Sequence, residues 1–187
     1  MPLVDLITQH EMAIRLSFFF GILLIMALWE LVAPRRQLKV SKLMRWTNNL
    51  GLVFLNSIVL RLLFPAAAVG VAIFVESNSW GLLNYYRPAF PWAVVLSIIV
   101  LDFIIYLQHV LMHAAPSLWR VHRVHHADLD YDVTTGARFH PIEIIVSMLI
   151  KFAAILVLGP PIVAVVIFEI ILNALAMFNH GNVRLPR

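Results

Sequence analysis

The chain contains no cysteine among its 187 residues. Disulfides, iron–sulfur clusters, thiolate zinc sites and cysteine nucleophiles are therefore excluded for this sequence, and its redox compartment cannot be inferred. Charge is also scarce, because Asp, Glu, Lys and Arg make up only 13% of the residues, about half of what a soluble domain carries. Glycine-rich phosphate loops, dinucleotide fingerprints and serine nucleophile elbows do not occur either. The chemistry must depend on other residue types.

Apolar residues are abundant instead, at 61% of the chain with a mean hydropathy of +0.88. They form long runs, and about 20 helical residues are enough to cross the hydrocarbon core of a bilayer. These runs predict an all-α integral membrane protein with about four transmembrane helices and a cytoplasmic histidine-rich cap, built as a single membrane domain over residues 1–187. Proline cannot continue a helix, so the last run is expected to form a helical hairpin broken at Gly159-Pro160-Pro161. Each arm is short for a full crossing, so a re-entrant pair is the alternative. The predicted helices cover residues 12–33, 49–75, 92–113, 142–158 and 162–178.

Basic residues concentrate in the loop between the first two apolar runs, which contains no acid. The positive-inside rule places this loop in the cytoplasm, and counting crossings brings residues 114–141 and His180 to the same side. We interpret the loop as a topogenic signal that contacts membrane headgroups, which explains the pI of about 9.9 without a nucleic-acid partner. The basic residues of the loop are Arg35, Arg36, Lys39, Lys42 and Arg45.

Histidines are concentrated in one short stretch, with five of the eight between residues 109 and 126. Residues three and four apart share a helix face, so the first group of rings, His109 and His113, faces one way. The second group, His122, His125 and His126, also shares one face. Five imidazoles exceed what one tetrahedral zinc site needs, and nitrogen ligands suit iron, copper, nickel or zinc, so the surplus indicates a site for two metals. Pro116 is expected to end the third long helix, and Ser117 to cap a short helix that starts at Leu118 and folds the second group back. The clustered histidines are His109, His113, His122, His125 and His126.

Further residues are expected to contribute to the same site. His180 follows the last apolar helix and is a ligand candidate, whereas His140 is expected to support the ligands. Asp102 and Tyr106 share a helix stripe with His109, and Asp102 lies near mid-membrane, where a charge is costly and usually functional. Asp102 has two possible roles. In the first it orients the His109 ring through Tyr106 or a water; in the second it forms a buried ion pair with Arg61.

An acidic segment follows the histidines. Asp128, Asp130 and Asp132 lack the glycine and closing glutamate of a calcium loop, so an EF-hand is rejected. We expect these acids to be solvated or to orient histidine rings, with Asp128 and Arg138 in supporting positions. The histidine-box segment as a whole extends over residues 109–143.

These motifs resemble the fatty acid hydroxylase / sterol desaturase superfamily of integral-membrane non-haem di-iron enzymes. By motif, His109 and His113 match the first histidine box, while His180 precedes the third. The second box, H-x2-H-H, is matched by His122, His125 and His126. The third box, another H-x2-H-H, does not appear before Arg187, so the resemblance implies either a truncated form or fragment, or a protein that completes its site differently. The matching text is D-F-I-I-Y-L-Q-H-V-L-M-H, L-W-R-V-H-R-V-H-H-A-D, T-T-G-A-R-F-H-P-I-E and F-N-H-G-N-V-R-L-P.

The resemblance implies two non-haem iron ions held by histidines on the cytosolic side of a bacterial inner membrane or an ER membrane. Such an enzyme uses O₂ and two external electrons to hydroxylate or desaturate a lipid C–H bond. No catalytic group beyond the metal ligands and no motif for binding another cofactor is expected. The expected partners are a lipid substrate, O₂, membrane lipids and a separate electron-donor protein of the cytochrome b5, ferredoxin or rubredoxin type.

Two other functions fit the same residues. A catalytically silent, truncated membrane scaffold would keep the helices without the metal. A zinc-dependent membrane hydrolase would usually need a glutamate base, as in H-E-x-x-H, and the histidine boxes contain no such glutamate. The sequence also leaves open which lipid is the substrate and whether it is hydroxylated or desaturated.

Overall fold

The computed structural model describes residues 2–185, with side chains from residue 5 onward. Within this range the regular structure is helical, apart from one isolated antiparallel bridge between Pro34 and Val183. The expected all-α class is therefore confirmed. The helices are α1 (Pro2–Gln9), α2 (Glu11–Val32), α3 (Lys42–Leu63), α4 (Ala67–Ser77), α5 (Leu82–Tyr86), α6 (Phe90–Ala114), α7 (Pro116–His126), α8 (Pro141–Leu158) and α9 (Ile162–His180), with a 3-10 helix at Val133–Ala137 before α8.

Five helical stretches of the described chain are long and apolar enough to cross a membrane: residues 11–32, 42–86, 90–114, 141–158 and 162–180. The predicted break in the last apolar run is confirmed, since α8 ends at Leu158 and α9 begins at Ile162. Gly159 caps α8 with φ +68°, and a Cβ there would lie 2.5 Å from the Trp80 carbonyl oxygen. Glycine is thus required where the hairpin turn meets the loop after α4.

Two predicted helix boundaries are wrong. The run 49–75 was expected to form one helix, but the structure divides it into α3, which already begins at Lys42, and α4, which begins at Ala67. Pro65 lies between them, and proline lacks the amide hydrogen that would continue the helix. The short helix α7 begins at Pro116 with Ala115 as its N-cap, since proline is well suited to the first helical position.

Helix α9 is the centre of the bundle, because it packs against α2, α4, α6 and the 3-10 helix. Its first half is buried, and the turn at Gly136 approaches it so closely that a Cβ would collide with the Ala176 carbonyl oxygen. The outer faces of α2, α3 and α6 expose large apolar side chains, as expected for helices that face lipid. Members of the buried apolar core include Ala68, Val69, Ala72, Leu101, Ile155, Val165, Val166 and Phe168.

A charged network crosses the apolar interior. Glu169 of α9, which is 4% exposed, pairs with Lys151 of α8 at 3.0 Å and with Arg15 of α2 at 3.0 Å. Because charges inside a membrane are costly unless they are paired, this arrangement holds three helices together. The network could not be predicted from the sequence, because its members lie on helices that are distant along the chain.

Glu30 connects the segments that surround the histidines. This buried α2 carboxylate accepts hydrogen bonds from the backbone N–H groups of Val133 at 2.7 Å and Asn182 at 2.9 Å. The C-terminal ends of α2, α6 and α9, the start of α8 and all of α7 therefore lie at one end of the bundle. We call this the histidine end.

Candidate metal centre

Four histidine rings gather where α6 meets α7. The Nε2 atoms of His113, His122 and His126 are each 3.2 Å from the other two. His109 lies one turn earlier on α6, and ligand atoms of His109, His113 and His122 all lie within 4.8 Å of one another. Metal–nitrogen bonds of about 2.0–2.1 Å at tetrahedral angles place neighbouring nitrogens about 3.3–3.4 Å apart, so the spacing fits one shared ion.

His125 and His180 form a second, separate contact, with their Nε2 atoms 2.9 Å apart. The other ring nitrogen of His125, Nδ1, lies 3.1 Å from the Arg138 carbonyl oxygen, and Nδ1 of His180 lies 2.7 Å from the Ala176 carbonyl oxygen. A carbonyl oxygen can only accept a hydrogen bond, so both Nδ1 atoms carry the proton. In a neutral ring Nε2 is then bare, and two lone pairs face each other across 2.9 Å.

Two facing lone pairs repel unless a cation lies within reach of both. Burial and, secondarily, the nearby His180 lower the pKa of His125 to about 3, so His125 does not supply that cation near neutral pH. A metal ion can supply it, since octahedral bonds of about 2.1 Å place adjacent nitrogens about 3.0 Å apart. The donor set therefore fits a metal at His125 and His180 as well as at the first cluster.

Glu143 orients His122 within the first cluster. Its Oε1 lies 2.7 Å from His122 Nδ1 and, as a carboxylate oxygen, accepts the hydrogen bond, which leaves Nε2 free to face His113 and His126. Burial, and secondarily the neighbouring histidines, lower the pKa of His122 to about 4, so the ring is neutral and available to a metal near pH 7. This role of Glu143 was not predicted, because 21 positions separate the two residues and the only sequence signal is the motif R-F-H-P-I-E.

Arg138 and His140, which were both expected to support the metal ligands, have different contacts in the structure. The backbone carbonyl of Arg138 contacts His125 directly, and its guanidinium donates to Val124 O and Asn49 Oδ1, both at 2.9 Å. His140 instead caps α8, since its Nδ1 accepts the Ile142 N–H at 3.1 Å. Among the hydrogen bonds and ring contacts of residues 2–185, none joins His140 to another histidine.

Asp128 is buried and lies away from the rings, which corrects the expectation that the acids of this segment are solvated or orient histidines. It pairs with Arg45, whose Nε lies 2.7 Å from Oδ1, and Arg45 also reaches Asp132 at 2.7 Å. Burial alone would raise the pKa of Asp128, but hydrogen bonds from Arg45, Thr135 and Asn49 lower it to about 2. Arg45 is 3% exposed and therefore stabilises this segment instead of contacting headgroups.

Asp102 and Tyr106 do not contact the histidine rings. Asp102 is exposed on α6, and no hydrogen bond or ion pair joins it to Arg61 or to another residue in the described range. Tyr106 is 59% exposed and stacks on Phe103, with ring centroids 6.4 Å apart. Both side chains line an apolar groove between α6 and α9.

The centre is closed on one side and open on the other. His122 and His125 are fully buried, whereas His109 and His113 on α6 are exposed. Phe139 stacks on the His125 ring at 4.8 Å with nearly parallel planes, and Trp119 lies 5.3 Å from the His113 ring. Access for a reactant is therefore from the α6 side.

Comparisons with known proteins identify the family of the chain. The family model described as fatty acid hydroxylase matches residues 94–187, half of the chain. The chain belongs to the fatty acid hydroxylase family, as its motifs predicted.

A curated relative is the ornithine lipid hydroxylase OlsE of Rhizobium tropici, which is 27% identical to the chain over 126 residues. The match covers 63% of this chain but only 38% of that protein, so the chain corresponds to well under half of its relative. No solved structure matches the chain significantly.

Proposed function

We propose that this protein is a membrane-bound non-haem di-iron oxygenase that hydroxylates or desaturates a lipid C–H bond. The observation that carries the proposal is the contact between His125 and His180, in which two bare nitrogens face each other beside a cluster of further histidines. Family membership and the lipid hydroxylase OlsE add support for a lipid as the substrate.

Two neighbouring groups of rings would hold the iron ions. His125 and His180 would share one ion, and the ring of His125 lies 5.0 Å from that of His126 in the other group. When bound, the irons activate O₂ with two electrons and two protons, so that hydroxylation forms the alcohol and one water and desaturation forms the alkene and two waters. The residues that would hold the second ion are His109, His113, His122 and His126.

The remaining residues of the site bind, orient and exclude water. Glu143 and the carbonyl oxygens of Arg138 and Ala176 fix which nitrogen of each ring is bare. Phe139 covers a face of the buried His125 ring and excludes water there, whereas Trp119 packs beside His113 at the open side. The exposed side of His109 and His113 would receive the lipid.

We further propose that the histidine end faces the cytoplasm, in a bacterial inner membrane or an ER membrane. The acids at this end are buried, so the exposed charges there are basic, as the positive-inside rule expects. A separate electron donor of the cytochrome b5, ferredoxin or rubredoxin type would approach from this side, together with O₂. The exposed bases are Arg35, Arg36, Lys39, Arg120, Arg123 and Arg184.

Metal content is the direct test of this proposal. Detergent-purified protein should contain about two iron ions per molecule, both as this chain and together with any further residues of its reading frame. His125→Ala should lower the iron content. His10→Ala should not, because His10 lies far from the histidines of the centre in the sequence. Absence of iron from both forms would contradict the proposal and favour a silent scaffold, and stoichiometric zinc would favour a hydrolase.

A further inference from the structure

A groove runs between α6 and α9 on the lipid-facing side of the bundle, with a volume of about 410 Å³. Its walls are almost entirely apolar, so it suits a hydrocarbon chain. Two polar side chains interrupt this lining, and both belong to α6. The residues that matter here are Ile99, Asp102, Phe103 and Tyr106 of α6 with Ile171 and Leu175 of α9.

Asp102 is the unusual member of this lining. It is the central residue of the 25-residue helix α6, which places it about 18 Å from either end of the helix. It has no hydrogen-bonding or ionic partner among residues 2–185, although a carboxyl group in hydrocarbon is costly without one. A ligand in the groove can provide the missing partner.

The groove leads toward the metal centre. Asp102, Tyr106 and His109 follow one another at positions i, i+4 and i+7, and therefore lie along the same face of α6. The seven residues from Asp102 to His109 span about 10 Å along the helix axis. A chain lying in the groove would thus run from Asp102 to the exposed side of the histidine cluster.

We infer that the groove binds the hydrocarbon chain of the lipid substrate and that Asp102 hydrogen-bonds a hydroxyl group already carried by that chain. The hydroxyl would lie about 10 Å from the carbon nearest His109. An ammonium headgroup could also pair with Asp102, but it would have to leave the membrane surface for the bilayer centre, which costs far more than burying a hydroxyl. The substrate class is therefore a lipid with a chain hydroxyl, and the inference rests on the proposed function.

Photo-crosslinking tests the groove without requiring turnover. The protein is reconstituted into vesicles that contain phosphatidylcholine with a diazirine in mid-chain, irradiated, digested and mapped by mass spectrometry. Label is expected on Phe103, Ile171 and Leu175. Ile171→Trp should fill the groove and suppress the label, whereas Leu96→Trp, on the exposed surface of α6 outside the lining, should not. Label spread evenly over the apolar surface would overturn the inference.

Competition tests the role of Asp102. Ricinoleoyl phosphatidylcholine, which carries a chain hydroxyl, should displace the label at about five- to tenfold lower concentration than oleoyl phosphatidylcholine, as expected for one additional hydrogen bond. Asp102→Leu should abolish this difference while the label stays in the groove, and Asp102→Asn, which can still donate and accept, should keep part of it. Equal competition by the two lipids in the wild type, or an unchanged preference in Asp102→Leu, would overturn the assignment of Asp102.

Iron measured on the same samples separates the two proposals. Iron-loaded protein without label in the groove would contradict this inference and leave the oxygenase intact. Labelled protein without iron would support the lipid site and contradict the oxygenase. Asp102→Leu should retain the wild-type iron content, since Asp102 contacts none of the histidines.

Discussion

At the scale of single residues, three rings of the centre, His122, His125 and His180, are held by hydrogen-bond acceptors of different kinds. His125 and His180 are oriented by backbone carbonyl oxygens, which a side-chain substitution leaves in place. His122 depends on the carboxylate of Glu143. This difference makes Glu143 the one orienting group that mutation can remove directly.

Replacing Glu143 should weaken metal binding without removing a ligand. Glu143→Leu leaves His122 Nδ1 without its acceptor and should lower iron affinity about 10–100-fold, as measured by competition with a chelator. Glu143→Gln should cause a smaller loss, because the amide oxygen still accepts the Nδ1–H. Equal losses in the two variants would mean that the carboxylate acts through its charge and not through orientation.

His125 and His180 should behave as a unit. If they share one ion, His125→Ala and His180→Ala each lose that ion, and the double variant loses no more than either single variant. Elemental analysis of the three proteins, with His10→Ala as the control, checks this. Additive losses of iron would show that the two rings bind different ions.

At the scale of elements, buried charges fix how segments meet. Arg45, at the start of α3, holds the segment between α7 and α8 through Asp128 and Asp132, which lie 83 and 87 positions away along the chain. Glu169 similarly holds α2 and α8 against α9. The positions of α7 and the 3-10 helix, and with them the ligand rings, follow from these contacts.

Removing Arg45 should destabilise the protein markedly. Arg45→Met leaves two carboxylates buried without their partner, which typically costs about 3–5 kcal/mol of unfolding free energy. Arg35→Met removes an exposed base and should cost less than about 1 kcal/mol. Unfolding of both variants in detergent, followed by circular dichroism, compares them. Similar stabilities would contradict a structural role for Arg45.

At the scale of the whole molecule, the two ends of the bundle differ in charge and in chemistry. Among the described residues, the exposed charges of the histidine end are all basic, whereas the opposite end, with the loop after α4 and the turn at Gly159, exposes both Arg87 and Glu76. This asymmetry supports an orientation with the metal centre in the cytoplasm.

The absence of cysteine makes that orientation easy to measure. Lys39→Cys places a thiol at the histidine end and Ser79→Cys places one at the other end, both at exposed positions. A membrane-impermeant maleimide added to intact bacterial cells should label the Ser79→Cys protein and not the Lys39→Cys protein. After the cells are permeabilised, both should react. The reverse pattern would place the metal centre outside the cytoplasm.

Local patterns account for what could be predicted from the sequence. Apolar runs of membrane-spanning length and the Gly159-Pro160-Pro161 break correctly predicted an all-helical fold with a final hairpin. The division at Pro65 could not be predicted in this way, because a single proline within a long apolar run is also compatible with a continuous, kinked transmembrane helix. The motifs also led to the family, because histidines at helical spacing are a local feature.

The sequence by itself therefore determined the helical membrane fold, the histidine motifs and the family, since each depends on residues close together along the chain. Only the tertiary structure decided which rings pair and which acceptors orient them, because His125 and His180 are 55 positions apart. It also decided that Asp128 is bound by Arg45 and that Asp102 faces a groove without a partner. Such contacts arise from helix packing, which brings together side chains that no spacing along the sequence relates.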